Sequence, residues 1–363
     1  MKFTRPQHST EMNMPKPLPA LALVLTLLAT PGFLASPLAQ ELTRTANGHP
    51  DLSGTYDTAT LTPLQRPQRF GDQLLLTDEE AAALESQEFN RNASRNEASN
   101  PNREAPPVGG DGSTGAAGGV GGYNYFWLDP GDRVAMFNGE LRTSLIVDPE
   151  DGRYPSRTDA SRQRMAEASQ FRRQFGQYDN PENRPLAERC IVSFGSNAGP
   201  PMLPNYFYNN NYTIVQTPDH IMIMTEMVHD VRIIRMGTPK PLPEHVKPWF
   251  GDSWGHWEGD TLVVETTNFS PTQLNRGQLS GATDNLKITE RFTRADEYSL
   301  NYEFTVDDPE TWTDTWSGEV PFTRLPGLVY EYACHEGNYA MFNVLSGARA
   351  QERREGSRQT PER

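Results

Sequence analysis

The chain has 363 residues, a formal net charge of −14, 36% hydrophobic and 22% charged residues, and only two cysteines. That acidic balance excludes nucleic acid and anionic membrane surfaces as partners, because a phosphate-binding face needs clustered Lys and Arg and the one basic grouping lies on a single short helix. Length allows one large core or two small ones, and the pattern described below favours one.

Leu18 to Ala35 is an apolar run without charge, preceded by Lys16 and ended by small residues at Ala35, Ser36 and Ala39. It reads as a secretory signal over residues 1–40. The alternative of a membrane anchor suffers from the short run and from Pro31 and Gly32 within it. Translation from Met14 would give a complete signal by itself, so the start codon stays open between Met1 and Met14. The expected mature chain opens near Glu41, is periplasmic or secreted, and carries no membrane span.

His49 to Tyr56 (HPDLSGTY) reads as a loop entering a first strand. Thr77 with Glu80 makes a capping box, and Ala81, Ala82, Ala83 and Leu84 are good helix formers, so a helix is expected from Asp78 to about Asn90. From Ala93 to Gly122 periodicity is lost to Asn, Pro and Gly, which makes a long loop or an ordered lid. Its Gly-rich part, Gly109 to Gly122, is no phosphate loop, since no strand precedes it and no Gly-Lys-Ser/Thr follows. The glycines let the chain cross the sheet surface before the aromatic cluster Tyr123–Trp127. Arg142 to Asp148 reads as a strand ended by the turns of DPEDG. Thr158 then caps a second helix, with Met165, Ala168, Phe171 and Phe175 on one face and Arg162, Arg164, Arg172 and Arg173 on a solvated one. Cys190 and Cys334 lie far apart in a chain headed for an oxidising compartment, so a single disulfide is expected, with two buried thiols as the alternative.

From Tyr212 short alternating segments follow one another: Tyr212–Thr217, Ile221–Val228, Val231–Met236, Gly255–Trp257, Thr261–Phe269, Leu286–Arg294, Tyr298–Asp307, Thr313–Thr323 and Leu328–Cys334. The clearest places Tyr298, Leu300, Tyr302, Phe304 and Val306 on one face and polar residues on the other. The Pro-rich stretch PKPLPEHVKP between the third and fourth segments cannot be a central strand. At least seven strands with one apolar side each would leave sticky edges unless the sheet closes on itself. The expected fold is therefore mainly β: an antiparallel up-and-down barrel with two short helices and a long Gly-rich loop, or failing that a two-sheet sandwich. Residues 41–348 make a single domain, and the charged stretch Arg349–Arg363 is expected to be a disordered tail.

The segments HPDLSGTY, SLIVDPEDGRYP, TEMVHDVRII, WEGDTLVVETTNF, ERFTRAD, FTVDDPETWT and YEYACHEGNY together resemble a family of uncharacterised secreted bacterial proteins, over nearly the whole mature chain. The resemblance implies export, names no reaction and carries over no catalytic residue. More loosely, Gly54-Thr55-Tyr56 followed by serial hairpins is similar to lipocalin-type barrels, which implies a carrier of small molecules. Those barrels have Trp where this chain has Tyr56, and the long insertions before Tyr212 have no counterpart there.

Two polar knots interrupt the apolar strands: Glu226, His229, Asp230 and Arg232 in TEMVHDVR, and His335, Glu336 and Asn338 in CHEGNY. Strict alternation would separate His229 from Glu226 and Asp230 unless a turn before Val231 re-aims them. A His beside carboxylates can act as a general base; the spacings HxH, HxxxH and HxxE that would point to a metal are absent, and no cofactor is implied. The alternative is a hydrogen-bonded cluster that merely closes one end of a barrel. Asn209, Asn210 and Asn211 among tyrosines could face a sugar or form a turn. Trp254 and Trp257, near Asp252 and His256, lie at a strand entrance where a barrel mouth would be. No Gly-x-Ser-x-Gly elbow exists. The leading expectation is a barrel that binds a small, partly apolar molecule through Glu226, Arg232, Trp254, Trp257 and Asn338. The alternatives are a hydrolase or isomerase using His229, Asp230, His335 and Glu336 in the mouth, and a structural envelope protein with a filled barrel. Oligomeric state is left open.

Overall fold

Tight turns and alternation carry the chain through nine strands that close on themselves. The computed structural model describes residues 42–97, 102, 104, 128–195, 199–275 and 277–359. The segment expected to be a signal, residues 1–40, the Gly-rich part Gly109–Gly122 and the Tyr123–Trp127 cluster lie outside these residues. The strands are β1 (Gly54–Asp57), β2 (Met136–Phe137), β3 (Glu140–Leu141), β4 (Ile146–Asp148), β5 (Asn211–Gln216), β6 (His220–Thr225), β7 (Val231–Met236), β8 (Asp252–Glu258), β9 (Thr261–Thr267), β10 (Lys287–Arg294), β11 (Ser299–Asp307) and β12 (Trp316–Arg324). The helices are α1 (Asp78–Arg95), α2 (Asp159–Arg172) and α3 (Ala340–Gln359). The barrel runs β1-β5-β6-β7-β8-β9-β10-β11-β12 and closes where Tyr56 of β1 meets Arg324 of β12. β4 pairs with the other end of β12, at Ser317 and Gly318.

One pair departs from the up-and-down expectation. β7 and β8 are parallel, with Arg235 opposite Trp254 and Met236 opposite Gly255. The Pro-rich stretch is the cause: it cannot form a hairpin or join the ladder, so it carries the chain back along the barrel before the next strand starts.

Alternation sets the core. Leu300, Tyr302, Phe304 and Val306 of β11 are fully buried, facing Ile288 and Phe292 of β10 and Val320 and Phe322 of β12. Tyr302, Phe292, Phe304 and Phe322 form a run of tilted rings with centroids 5.0–5.9 Å apart. Each such side chain stabilises the fold by ~1.5–3 kcal/mol. Where Gly318 lies, a Cβ would come within 2.5 Å of the Phe304 ring, so only glycine lets the ring lie flat against β12.

Both expected caps are present. Thr77 accepts from the Glu80 amide while Glu80 accepts from the Thr77 amide, and Thr158 accepts from the Ser161 amide. α1 runs on to Arg95, beyond the expected Asn90. Cys190 and Cys334 form a disulfide with a 2.04 Å S–S bond, tying the segment before β5 to the chain after β12.

Two expectations fail near the C-terminus. Leu328–Cys334 is not a strand, because β1 already occupies the β12 edge and the closed barrel has none to offer. The stretch read as a disordered tail from Arg349 is helical as far as Gln359, giving three helices instead of two. Its Arg, Gln and Glu residues are good helix formers and pair one turn apart, as in Arg349 with Glu352 and Gln351 with Glu355.

Candidate functional site

One barrel end is built by the β5–β6 turn, the end of β7, the β8–β9 turn and the segment before β1. The segment is fastened there: Gln216 accepts from the Leu52 amide and donates to the Pro50 carbonyl, and Arg44 reaches Asp260 in a two-pronged contact of 2.7 and 2.8 Å. Arg294, the last inward residue of β10, donates to the Tyr56 hydroxyl (2.7 Å) and to the carbonyls of Asp51, Asp296 and Glu297, closing part of the opening. Beside this plug a pocket of about 500 Å³ stays open, lined by Thr45, His49, Gln216, Met236, His256 and Trp257 among others. Trp257 lies on the inward row of β8, across from Leu262, and packs on the core. The His49 ring stacks on its indole with centroids 4.4 Å apart and planes 4° from parallel. An aromatic floor with an imidazole, an amide and a thioether around it suits a small ligand that is partly apolar.

The barrel interior is packed, and Arg232 is part of the packing. Its guanidinium makes two hydrogen bonds to Glu290, 2.6 and 2.8 Å, with both side chains buried. The Tyr302 hydroxyl donates to Glu290 (2.9 Å) and accepts from the Met202 amide (3.0 Å), and burial with the Glu290 charge beside it holds this phenol well above its usual range. Arg232, expected to contact ligand, is therefore committed to an internal ion pair, because an unpaired charge on the inward row would be too costly.

The opposite end of the barrel is acidic. Asp57 ends β1, and its carboxyl is pushed up to about 6 by burial first and by Asp129, Asp132 and Glu226 after it, against a hydrogen bond from the Ala59 amide. Asp129 is raised for the same reasons, burial leading. Glu226 is buried and accepts from the Asn211 side chain at 2.7 Å, so its role is to tie β5 to the β6–β7 turn. Asp57, Asp78, Glu85, Asp132 and Arg133 border a pocket of about 570 Å³ at this end. A carboxyl poised between its two forms near neutral pH can exchange a proton with solvent or a bound molecule.

The His/carboxylate cluster does not assemble. His229 and His335 are both exposed, Asp230 is half-buried and Glu336 is exposed. The turn expected before Val231 exists, a single helical turn over Met227–His229 with Val228 and His229 at φ 64° and 48°. It points His229 outward. His335 follows Cys334 in a turn outside the barrel, because the segment before it never joins the sheet, and its carbonyl accepts from the Asn338 amide. Asn338 donates its side-chain amide to Cys190 Sγ at 3.2 Å, so it braces the disulfide instead of facing a ligand. Trp254 lies on the outward row of β8 beneath the Arg235 guanidinium, 4.1 Å from the ring centroid, and Arg235 also pairs with Asp252. Of the expected ligand contacts only Trp257 lines the mouth. Asn209 takes a left-handed conformation, and the Asn210 side chain accepts from the Asn205 amide and donates to the Asp129 carbonyl, so the asparagine run forms a turn.

Sequence reasoning missed His49, Gln216 and Met236 at the mouth and Asp57, Asp129 and Asp132 at the acidic end. Only Glu290 and Arg294 carried a signal, as charged residues on the apolar side of KITERFTR. Among the described residues no group of three or more His, Cys, Asp or Glu side chains is arranged to hold a metal ion. No protein-family model matches the chain, and no curated protein does.

Proposed function

We propose that the protein is exported and binds a small, partly apolar molecule at the Trp257 mouth of its barrel. The observation that carries this reading is the 500 Å³ pocket with the His49–Trp257 stack as one wall and Met236 and Gln216 beside it. The pocket volume lies within the range of small-molecule sites, and its mix of one broad apolar surface with a few polar groups is the usual composition of such sites. A planar ring can lie against the indole while Gln216, Thr45 or His256 meets a polar substituent. Export is supported by the Cys190–Cys334 disulfide, a bond that forms and persists in oxidising compartments and is rare elsewhere, and by the apolar run at Leu18–Ala35. No helix among the described residues is long and apolar enough to cross a membrane.

The test is native mass spectrometry of protein taken from the periplasm, followed by tryptophan-emission titration with whatever molecule is released. Trp257→Ala should lose the molecule, while Trp254→Phe, which alters an indole outside the mouth, should keep it. Wild-type protein that carries no molecule and shows no saturable change in emission with a set of small aromatic compounds overturns the reading.

A further inference from the structure

Large apolar side chains are exposed together around α2 and α3. Phe171 and Phe175, one turn apart on α2, meet edge to face with centroids 5.2 Å apart, and with Leu186 and Phe194 they line an open groove of about 760 Å³. Arg184, also on the groove, lies over the Tyr178 ring at 4.9 Å. α3 is fastened to the same stretch at two points: Asn338, just before the helix, donates to Cys190 Sγ, and Arg349 in its third turn donates to the carbonyls of Tyr178 and Asp179. Between these points lie Tyr339 and Phe342, neither of which lines the groove. Phe171, Phe175, Phe194, Tyr339 and Phe342 are 48–73% exposed.

The helix itself lacks a packed face. Met341, Val344, Leu345 and Ala348 recur at helical spacing and none is fully buried, although a helix of 20 residues is only marginally stable in water without such a face. At about 200 Å² for a large side chain, the five rings with Tyr178 and Ile191 leave on the order of 800 Å² in contact with water. The largest apolar patch of a monomer is about 300–600 Å², whereas one side of a standard protein interface is about 800 Å². Charge favours a copy of the same chain as the occupant. The chain carries −14 overall, yet residues 171–194 hold four Arg against one Asp and two Glu, and residues 349–355 hold three Arg against two Glu. This face is spared the acidic excess that would make two copies repel, and its mixed signs can pair across a two-fold axis.

We propose that two copies of the chain pair through this surface about a two-fold axis, the groove of each receiving Tyr339 and Phe342 of the other. A two-fold pairing uses the same patch twice, so a groove and a pair of projecting rings on one face satisfy each other reciprocally. Aromatic anchors seated in a groove are the usual energetic centre of an interface, and here the mixed charges form its rim. The pairing is independent of ligand binding at the Trp257 mouth, with which the groove shares no residue.

The test is sedimentation velocity of the full-length protein over a concentration series spanning the micromolar range, where wild type should show a monomer–dimer equilibrium. Phe171→Glu and Phe342→Glu each place a charge within the surface and should raise the dimer dissociation constant by roughly tenfold or more. Tyr298→Glu should leave it unchanged: that exposed ring sits on the β10–β11 turn, opposite the β11–β12 turn where Arg164 fastens α2 to Glu310 and Thr311. The two test positions lie on different helices, so a variant that fails to fold, as judged by circular dichroism, leaves the other to decide. A monomer at every concentration overturns the proposal, as does a dimer that the folded variants leave intact. A monomer that floats with phosphatidylcholine vesicles overturns it as well and assigns the surface to lipid.

Discussion

Replacing Asp57 by Asn should stabilise the protein at neutral pH and leave it unchanged in acid. Asp57 has a folded-state pKa of about 6 against an ordinary 3.8, with burial as the main cause and Asp129, Asp132 and Glu226 adding to it. The folded chain therefore holds this proton more tightly than the unfolded chain. Its favourable contribution is complete below pH 3.8 and is lost as pH rises through about 6, beyond which the ionised carboxylate opposes folding by ~3 kcal/mol. Asn at this position keeps the oxygen that accepts from the Ala59 amide and carries no charge. Urea unfolding at about pH 8 should show Asp57→Asn more stable than wild type by up to ~3 kcal/mol, with the difference shrinking to near zero at about pH 4. Adding Asp129→Asn should give less than the sum of the two separate gains, because part of the Asp57 shift is repulsion from Asp129. A difference that does not change with pH, or a variant less stable than wild type at pH 8, refutes the electrostatic account of this end of the barrel.

Three further outcomes follow from the packing. Glu290→Gln should destabilise by ~3–5 kcal/mol by stranding the Arg232 charge inside the barrel, whereas Arg232→Met with Glu290→Leu should recover most of the loss; denaturant melts of the single and the double variant decide it. Cys190→Ala with Cys334→Ala should lower stability by up to ~5 kcal/mol for a link spanning 144 residues, and thiol labelling of the denatured, unreduced wild type should find no free cysteine. His229→Ala and His335→Ala should each change stability by less than ~0.5 kcal/mol, since both rings are exposed; a loss of ~1–3 kcal/mol would mean that they are partnered after all.

The elements that depend on neighbours in sequence were legible. Thr77 with Glu80 and Thr158 before a polar turn announce helix starts because a cap is satisfied within four residues. Leu300, Tyr302, Phe304 and Val306 announce a half-buried strand for a similarly local reason. Where pairing partners compete, the sequence is silent. Tyr330, Tyr332 and Cys334 alternate as well as many true strands, yet β1 takes the edge they would need, and nothing near residue 330 records that. The parallel β7–β8 pair is likewise a consequence of where the Pro-rich stretch delivers the chain, although the prolines themselves were readable as a break. The acidic end draws Asp57, Asp129 and Glu226 from three distant segments, and the mouth joins His49 to Trp257 across most of the domain, so neither has a local pattern to detect.

Charged residues inside apolar strand patterns were the right signal, read in the wrong place. The knot TEMVHDVR attracted attention through His229 and Asp230, but the turn at Met227–His229 puts the His229 ring at the surface and leaves Asp230 half-buried. The costly charges are those that cannot turn away: Arg232 on β7, Glu290 and Arg294 on β10, all on inward rows where alternation fixes their direction. Each is answered by a partner on another strand or by several carbonyls, Arg232 by Glu290 and Arg294 by Tyr56 and three main-chain oxygens. These charges close part of one barrel end and fill its centre, which leaves binding to the margin, at the Trp257 mouth beside the Arg294 plug.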